Sequence, residues 1–181
     1  MWNEEEIIGR CLKNDRKAQQ LLYERYSPGL LGMCIRFTGN RIEAEDVLQE
    51  AFVKIFTNLD HYRGTSSLAA WMRKIVINTA ITLYHRHKKH KNQYDIDDMK
   101  DKTPGNCNIS DLEFTREEMM KVITALPPGY RMVFNLYALE GYKHKEIAKE
   151  MGIDINTSKS QYSRAKKIIQ CRLLRMKGVS G

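Results

Sequence analysis

The sequence predicts an all-α protein of two small helical domains joined by a flexible acidic linker. Three observations carry that expectation. Apolar residues recur at threes and fours through both halves of the chain, and strings of β-branched residues bounded by turn signals are missing. Glycine and proline are few, 11 and 4 in 181 residues, too few to punctuate a fold of many short strands. Between the halves, Asp95, Asp97, Asp98, Asp101, Asp111 and Glu113 stand against Lys100 and Lys102, beside a Pro-Gly pair and too few apolar residues to bury. The boundaries that follow are 1–91 for the first domain, 92–113 for the linker and 114–181 for the second domain.

The first block opens with an amphipathic helix over Glu4 to Lys13. A longer one follows over Arg16 to Phe37, whose Leu21, Leu22, Tyr26, Leu30, Met33 and Phe37 make one apolar face. Pro28 and Gly29 are expected to kink it, and Gly39 closes it. Asn40-Arg41-Ile42-Glu43 has capping-box form and opens a third helix to about Leu59. Its Val47, Leu48, Ala51, Phe52, Ile55 and Phe56 are spaced to pack inward, and Glu43, Glu45, Asp46, Gln49 and Glu50 form an acidic shoulder near its start. After the turn His61-Tyr62-Arg63-Gly64-Thr65, a fourth helix is expected from about Ser66 to His90. Leu68, Met72, Ile75, Val76, Thr79 and Leu83 line its core side. Trp71 shares that spacing and is read as core, with a stacking platform as the alternative. The C-terminal end of this helix is cationic, from His85 to Lys91.

In the second block, helices are expected near Asp111–Ala125, Pro127–Glu140, Lys145–Met151 and Asp154–Met176. Leu126-Pro127-Pro128 starts a helix where a missing proline N–H costs nothing, and Gly141 ends it. The last two helices read as a helix-turn-helix. Ile147, Ala148 and Met151 sit at inner-face spacing, Gly152 makes the turn, and Asp154 or Asn156 can cap the second helix. From Ile155 onward no acidic residue occurs, whereas Lys159, Arg164, Lys166, Lys167, Arg172, Arg175 and Lys177 do. A positive second helix suits a DNA major groove.

Composition narrows the function further. A formal net charge of +8 points to a polyanionic partner, nucleic acid before membrane. Cys11, Cys34, Cys107 and Cys171 are scattered with no CxxC pair, which argues against a zinc site or a disulfide framework and fits free thiols in a reducing cytoplasm. The acidic start MWNEEEII is unlike a signal peptide, and no apolar run approaches the ~20 residues of a membrane span. No HxxxH or CxxC set, Gly-rich phosphate loop or nucleophile elbow is present, so no enzyme, cofactor, metal or small-molecule substrate is expected. His61, His85, His87, His90 and His144 are read as polar surface or DNA-facing residues.

Two long stretches carry a resemblance. EAEDVLQEAFVKIFTNLDHYRG followed by SSLAAWMRKIVINTAITLYHRHKK resembles region 2 of the sigma-70 family. LPPGYRMVFNLYALEGYKHKEIAKEMGI followed by NTSKSQYSRAKK resembles region 4 of the same family. With only these two regions and a short linker, the chain is similar to the extracytoplasmic-function (group IV) sigma factors.

The resemblance implies a non-enzymatic initiation factor that binds core RNA polymerase and directs it to promoters by reading two DNA elements. It implies that Asp46, Gln49, Glu50 and Phe52 dock on the clamp helices of the largest polymerase subunit, carboxylates beside an exposed apolar residue suiting such an interface. It implies that Tyr62, Thr65, Ser66, Ser67 and Asn78 form the pocket and rim for a base flipped from the −10 element, with Arg63 in the same loop and Arg73 and Lys74 on phosphates. The basic tail Arg86–Lys91 falls to upstream duplex backbone. Lys159, Ser160, Gln161, Ser163 and Arg164 match the family's reading positions for the −35 element, while Lys166, Lys167 and Arg172 hold phosphates. An anti-sigma factor, often membrane-anchored in the family, is the further partner implied.

Two departures stand out. Lys143 occupies the usual Ser or Thr cap, so that helix is expected to start later or lean on packing. Ser158 stands where many members have Val and is expected to forfeit an apolar contact. The competing reading is a one-component helix-turn-helix regulator that binds duplex operators without polymerase; it leaves the DVLQEAF stretch and the Tyr62-to-Asn78 pattern unexplained.

Overall fold

The computed structural model describes residues 2–90 and 113–178. Among them there are helices and turns and no strand, as the sequence predicts. The helices are α1 (Glu4–Cys11), α2 (Arg16–Thr38), α3 (Arg41–Thr57), α4 (Leu68–His90), α5 (Arg116–Thr124), α6 (Pro128–Phe134), α7 (His144–Met151) and α8 (Ile155–Met176). A 3₁₀ turn spans Leu59–His61 and a π-helical turn spans Asn135–Leu139. The chain divides into two compact units, Met1–Leu83 and Tyr84–Gly181, so the division falls inside α4. The expected linker lies outside the described residues apart from Glu113, and with it Cys107 and the expected start of a helix at Asp111.

The first unit is built by caps and apolar stripes. The Asn3 side chain accepts the Glu6 N–H at 2.8 Å while the Glu6 carboxylate accepts the Asn3 N–H at 2.9 Å, a reciprocal box that starts α1. Asp15 accepts from Lys17 and Ala18 to start α2, and Asn40 accepts from Glu43 at 2.8 Å to start α3. α2 runs on through Pro28 to Gly39, which ends it in the left-handed conformation. Leu22, Leu30, Met33 and Phe37 of α2 are buried with Val47, Leu48, Ala51, Phe52 and Ile55 of α3 and Leu68, Met72 and Val76 of α4. Each of these apart from Ala51, fully buried, contributes roughly 1.5–3 kcal/mol. Leu21, expected on that face, is exposed, one position off the stripe. Cys11 and Cys34 are buried, and burial pushes the Cys34 thiol up to about 12, so it serves as a small apolar residue.

In the second unit Val122, Ile123, Leu126, Phe134, Ala165, Ile168, Ile169 and Leu173 form one core. α5 starts later than its periodicity suggested because Thr115 and Glu118 make a capping box, Thr115 accepting the Glu118 N–H at 3.1 Å and Glu118 the Thr115 N–H at 2.8 Å. The buried Arg131 guanidinium donates to the carbonyls of Thr124 (3.0 Å) and Leu126 (2.8 Å), satisfying the open end of α5. The helix expected as one piece from Pro127 to Glu140 changes to π geometry at Asn135, whose buried amide donates to the Arg131 carbonyl at 2.8 Å. The Arg131 carbonyl accepts the Asn135 backbone N–H as well, so the side chain adds a bond to the ladder without breaking it.

Candidate nucleic-acid and polymerase interfaces

The acidic shoulder lies on the open side of α3. Asp46 and Gln49 are exposed, and Glu50 is half-buried with its carboxylate on Lys54 Nζ at 2.8 Å. Phe52 is a correction. Only 4% of it is exposed, and its ring packs against Tyr23 at 4.6 Å and Phe56 at 5.9 Å, so it cannot offer the exposed apolar group. Its inward spacing with Leu48 and Ile55 outweighs its place in the motif. On α3 the exposed large apolar residues are Val53 at 66% and Ile42 at 78%. Ile42, Asp46, Gln49 and Val53 follow at helical spacing, so they form one stripe with carboxylate and amide in the middle and apolar ends.

The second site is the loop between the 3₁₀ turn and α4. Gly64 takes φ +69, which lets the chain double back there. The Tyr62 hydroxyl donates to the Ser66 carbonyl at 2.7 Å, closing the loop across Arg63, Gly64 and Thr65, whose side chains are exposed where present. Ser67 is exposed too, but its hydroxyl accepts the Ala70 N–H at 3.2 Å and so helps to start α4. Trp71, read from spacing as core, is half-buried and sits with its ring 5.5 Å from that of Tyr62. The two rings form an aromatic wall, and Lys74 and Asn78, both exposed, continue the stripe at i+3 and i+7 from Trp71. Arg73 is exposed on the neighbouring stripe, and residues 85–89 leave the cationic end of α4 exposed.

The third site is α8. Gly152 at φ +61 turns the chain, and the Asp154 carboxylate accepts the Asn156 N–H at 2.7 Å. Of the two caps open to the sequence, Asp154 is the one used. Lys159, Ser160, Ser163, Arg164, Lys166 and Lys167 are exposed along one broad face. Ser160 donates to the Thr157 carbonyl at 3.0 Å, and Arg164 donates to the Tyr130 hydroxyl at 3.3 Å. Lys166 Nζ stands 5.2 Å from the centre of the Tyr162 ring. Gln161 departs from the expectation: it is half-buried, its Oε1 is buried with no hydrogen-bond partner, and its amide lies against Gly129. The spacing Gln161, Ala165, Ile168 explains this, because the last two are core. Arg172 is also half-buried, with Nη1 enclosed rather than turned to solvent.

Sequence reasoning misplaced two residues between α7 and α8. Ser158 is completely buried and shares a hydrogen bond with His144 Nδ1 at 3.0 Å, rather than simply forfeiting a contact. His144 is not a surface histidine: it is half-buried and stacked on Tyr137 at 4.2 Å, with Tyr162 at 5.9 Å. Burial first, and the Lys159 charge second, hold its pKa below the ordinary histidine value. α7 starts at His144 despite Lys143, because the Glu146 carboxylate accepts the Lys143 N–H at 2.7 Å.

No group of three or more metal-ligating side chains exists among the described residues, and no described helix is long and apolar enough to cross a membrane. Residues 22–90 match the model of Sigma-70 region 2, and residues 116–169 match that of Sigma-70, region 4. RNA polymerase sigma-H factor of Pseudomonas aeruginosa is 28% identical over 176 residues, covering 92% of this chain and 91% of that one. ECF RNA polymerase sigma-E factor of Escherichia coli (strain K12) is 29% identical over 175 residues, covering 90% of each. The solved sigma factor RpoE of Bartonella quintana, in complex with the anti-sigma factor NepR, aligns at a TM-score of 0.49 and 21% identity over 90% of this chain and 98% of that one. The chain therefore belongs to the sigma-70 family and carries region 2 ahead of region 4, the make-up of its extracytoplasmic-function branch.

Proposed function

We propose a division of labour for this sigma factor, residue by residue. The protein binds core RNA polymerase and directs promoter-specific initiation by reading −10 and −35 elements. In the proposed division, residues 1–91 bind polymerase and the −10 element, 92–113 link, and 114–181 bind the −35 element. Asp46 and Gln49, with Val53 and Ile42 in place of Phe52, dock on the clamp helices of the largest polymerase subunit. Apolar ends supply burial there, and the central charge supplies orientation and on-rate.

The observation that carries the −10 reading is the Tyr62–Trp71 wall beside exposed Lys74 and Asn78. A flipped base needs an aromatic surface and a few polar groups at its edge, which Thr65, Ser66 and Asn78 supply; Arg63, Arg73 and Lys74 take phosphates. On α8, Lys159, Ser160, Ser163 and Arg164 read the −35 duplex, and Lys166 and Lys167 hold its backbone. Gln161 reads only if it leaves Gly129. The work is done in the cytoplasm without a cofactor, catalysis belonging to the polymerase. An anti-sigma protein, in many members membrane-anchored, is the further partner we propose on family grounds.

Run-off transcription with purified core polymerase, with and without this chain, on a promoter library tests the reading. New start sites that depend on both elements are expected. Initiation nowhere new, combined with a duplex footprint from the chain alone, would return the protein to the one-component regulators.

A further inference from the structure

The inner faces of α7 and α8 are largely apolar: Ile147, Ala148 and Met151 on the one, and Ala165 and Ile169 on the other, are buried. Contacts of that kind are non-directional, so they leave α8 free to roll by small angles. At Ser158 the packing changes character. A hydroxyl that is completely buried meets the His144 ring nitrogen at 3.0 Å, and a hydrogen bond of that length demands a direction.

The ring is itself held by two tyrosines that also touch each other, their rings 4.5 Å apart. Tyr137 of the π turn stacks on it at 4.2 Å and 15° between planes, and Tyr162 of α8 meets it at 5.9 Å and 60°. His144 therefore touches α8 at Ser158 and at Tyr162, two points one helical turn apart. Two such points fix both the rotation of the helix and its position along its axis. The residues that follow them in sequence are Lys159 and Ser163, two of the proposed reading positions.

We propose that the His144–Ser158 pair, packed against the Tyr137–Tyr162 aromatic pair, is the positioning element of the −35 reader: it sets the roll of α8 and so aims Lys159, Ser163 and Arg164 without touching DNA. The proposal rests on the reading of α8 given above. The π turn has a part in it, since it is the element that brings Tyr137 under the ring. Apolar packing holds the motif folded; the polar pair selects one orientation from those that packing permits.

The test uses holoenzyme assembled from core polymerase and full-length protein, on a promoter set with every single-base change in the −35 element and a fixed −10 element. A template already open at −10 normalises for polymerase binding. His144→Phe keeps a ring on Tyr137 and loses the bond; Ser158→Ala loses the hydroxyl. Each is expected to lower −35-dependent transcription about 3- to 10-fold, the span of one buried hydrogen bond, and to flatten base preference at the positions under Lys159 and Ser163. The double variant should be no worse than either single one, because both remove the same bond. His144→Asn, whose amide can stand near Nδ1, should restore preference.

A uniform fall in output with base preference unchanged would overturn the proposal, as would multiplicative effects in the double variant. If either single variant fails to fold, Ser158→Val replaces it, filling the site with a branched apolar side chain that cannot hydrogen-bond. A folded Ser158→Val with wild-type preference overturns the proposal equally. A wild-type holoenzyme with no −35 preference would sink the reading of α8 and this inference together; preference that survives in every variant would sink the inference alone.

Discussion

Gly64 offers the sharpest test of the proposed −10 loop, because its contribution can be isolated. A Cβ placed on it would meet nothing within 4 Å, so Gly64→Ala introduces no clash. What remains is the backbone: φ is +69, where a β-carbon costs roughly 1–2 kcal/mol. At a factor of ten per 1.4 kcal/mol, the observed loop conformation becomes about 5- to 30-fold less populated. The Tyr62–Ser66 hydrogen bond spans this residue, so the aromatic wall loses its closing strap when the loop relaxes. Open-complex formation, followed with a fluorescent base analogue in the −10 element, should slow by a comparable factor, while initiation from a pre-opened template stays near wild type. Asparagine tolerates this conformation, as Asn14 does in this chain at φ 59, and Gly64→Asn should recover most of the rate. Wild-type opening by Gly64→Ala would refute the idea that this loop shape is used, and so would an Asn variant as slow as the Ala variant.

Other expectations are more direct. Replacing Lys159 or Arg164 by Ala should cost ~1–3 kcal/mol of discrimination at one −35 position each, whereas Lys166→Ala should reduce the salt slope of binding by about one and leave preference alone; holoenzyme binding titrated against salt separates the two. Val53→Asp and Asp46→Lys should weaken competition for core polymerase with no change in melting, while Phe52→Ala should cost roughly 3–5 kcal/mol of stability because its ring is core. A Phe52→Ala protein that melts normally but binds polymerase poorly would reverse that assignment. Because burial lowers the His144 pKa, the folded state favours the neutral ring. The associated stability is complete above the unfolded value of about 6.5 and is lost as pH falls through that value toward the folded one. Urea titrations of the second unit between neutral and acid pH should show this, and His144→Phe should flatten the dependence.

Most of the fold was legible because its signals are local. Asn40, Asp154, Gly39 and Gly152 mark helix ends by side-chain or backbone chemistry that acts within four residues. Periodicity then placed most of the cores. It failed at Trp71, which shares core spacing yet opens toward Tyr62, whereas at Phe52 and Gln161 the motif positions misled and the spacing with buried neighbours was the better guide. The π turn left no trace in the sequence because Asn135–Leu139 keep an ordinary helical pattern of residues. Ser158 and His144 were misjudged for a related reason. Each is polar at a site read alone, and only the fold brings them within hydrogen-bonding distance across fourteen residues.

Each unit buries a core of its own, and that has a consequence for damaged molecules. A lesion in Val133 or Leu136 removes packing from the second unit and leaves Leu22, Ile55 and Met72 of the first enclosed as before. Such a chain would keep the proposed polymerase-docking stripe while losing its proposed hold on the upstream element. It would be worse than inert, since every half-collapsed copy would still occupy a polymerase and keep it from intact competitors. Cells carrying such a variant beside the normal protein should show dominance, not recessive loss.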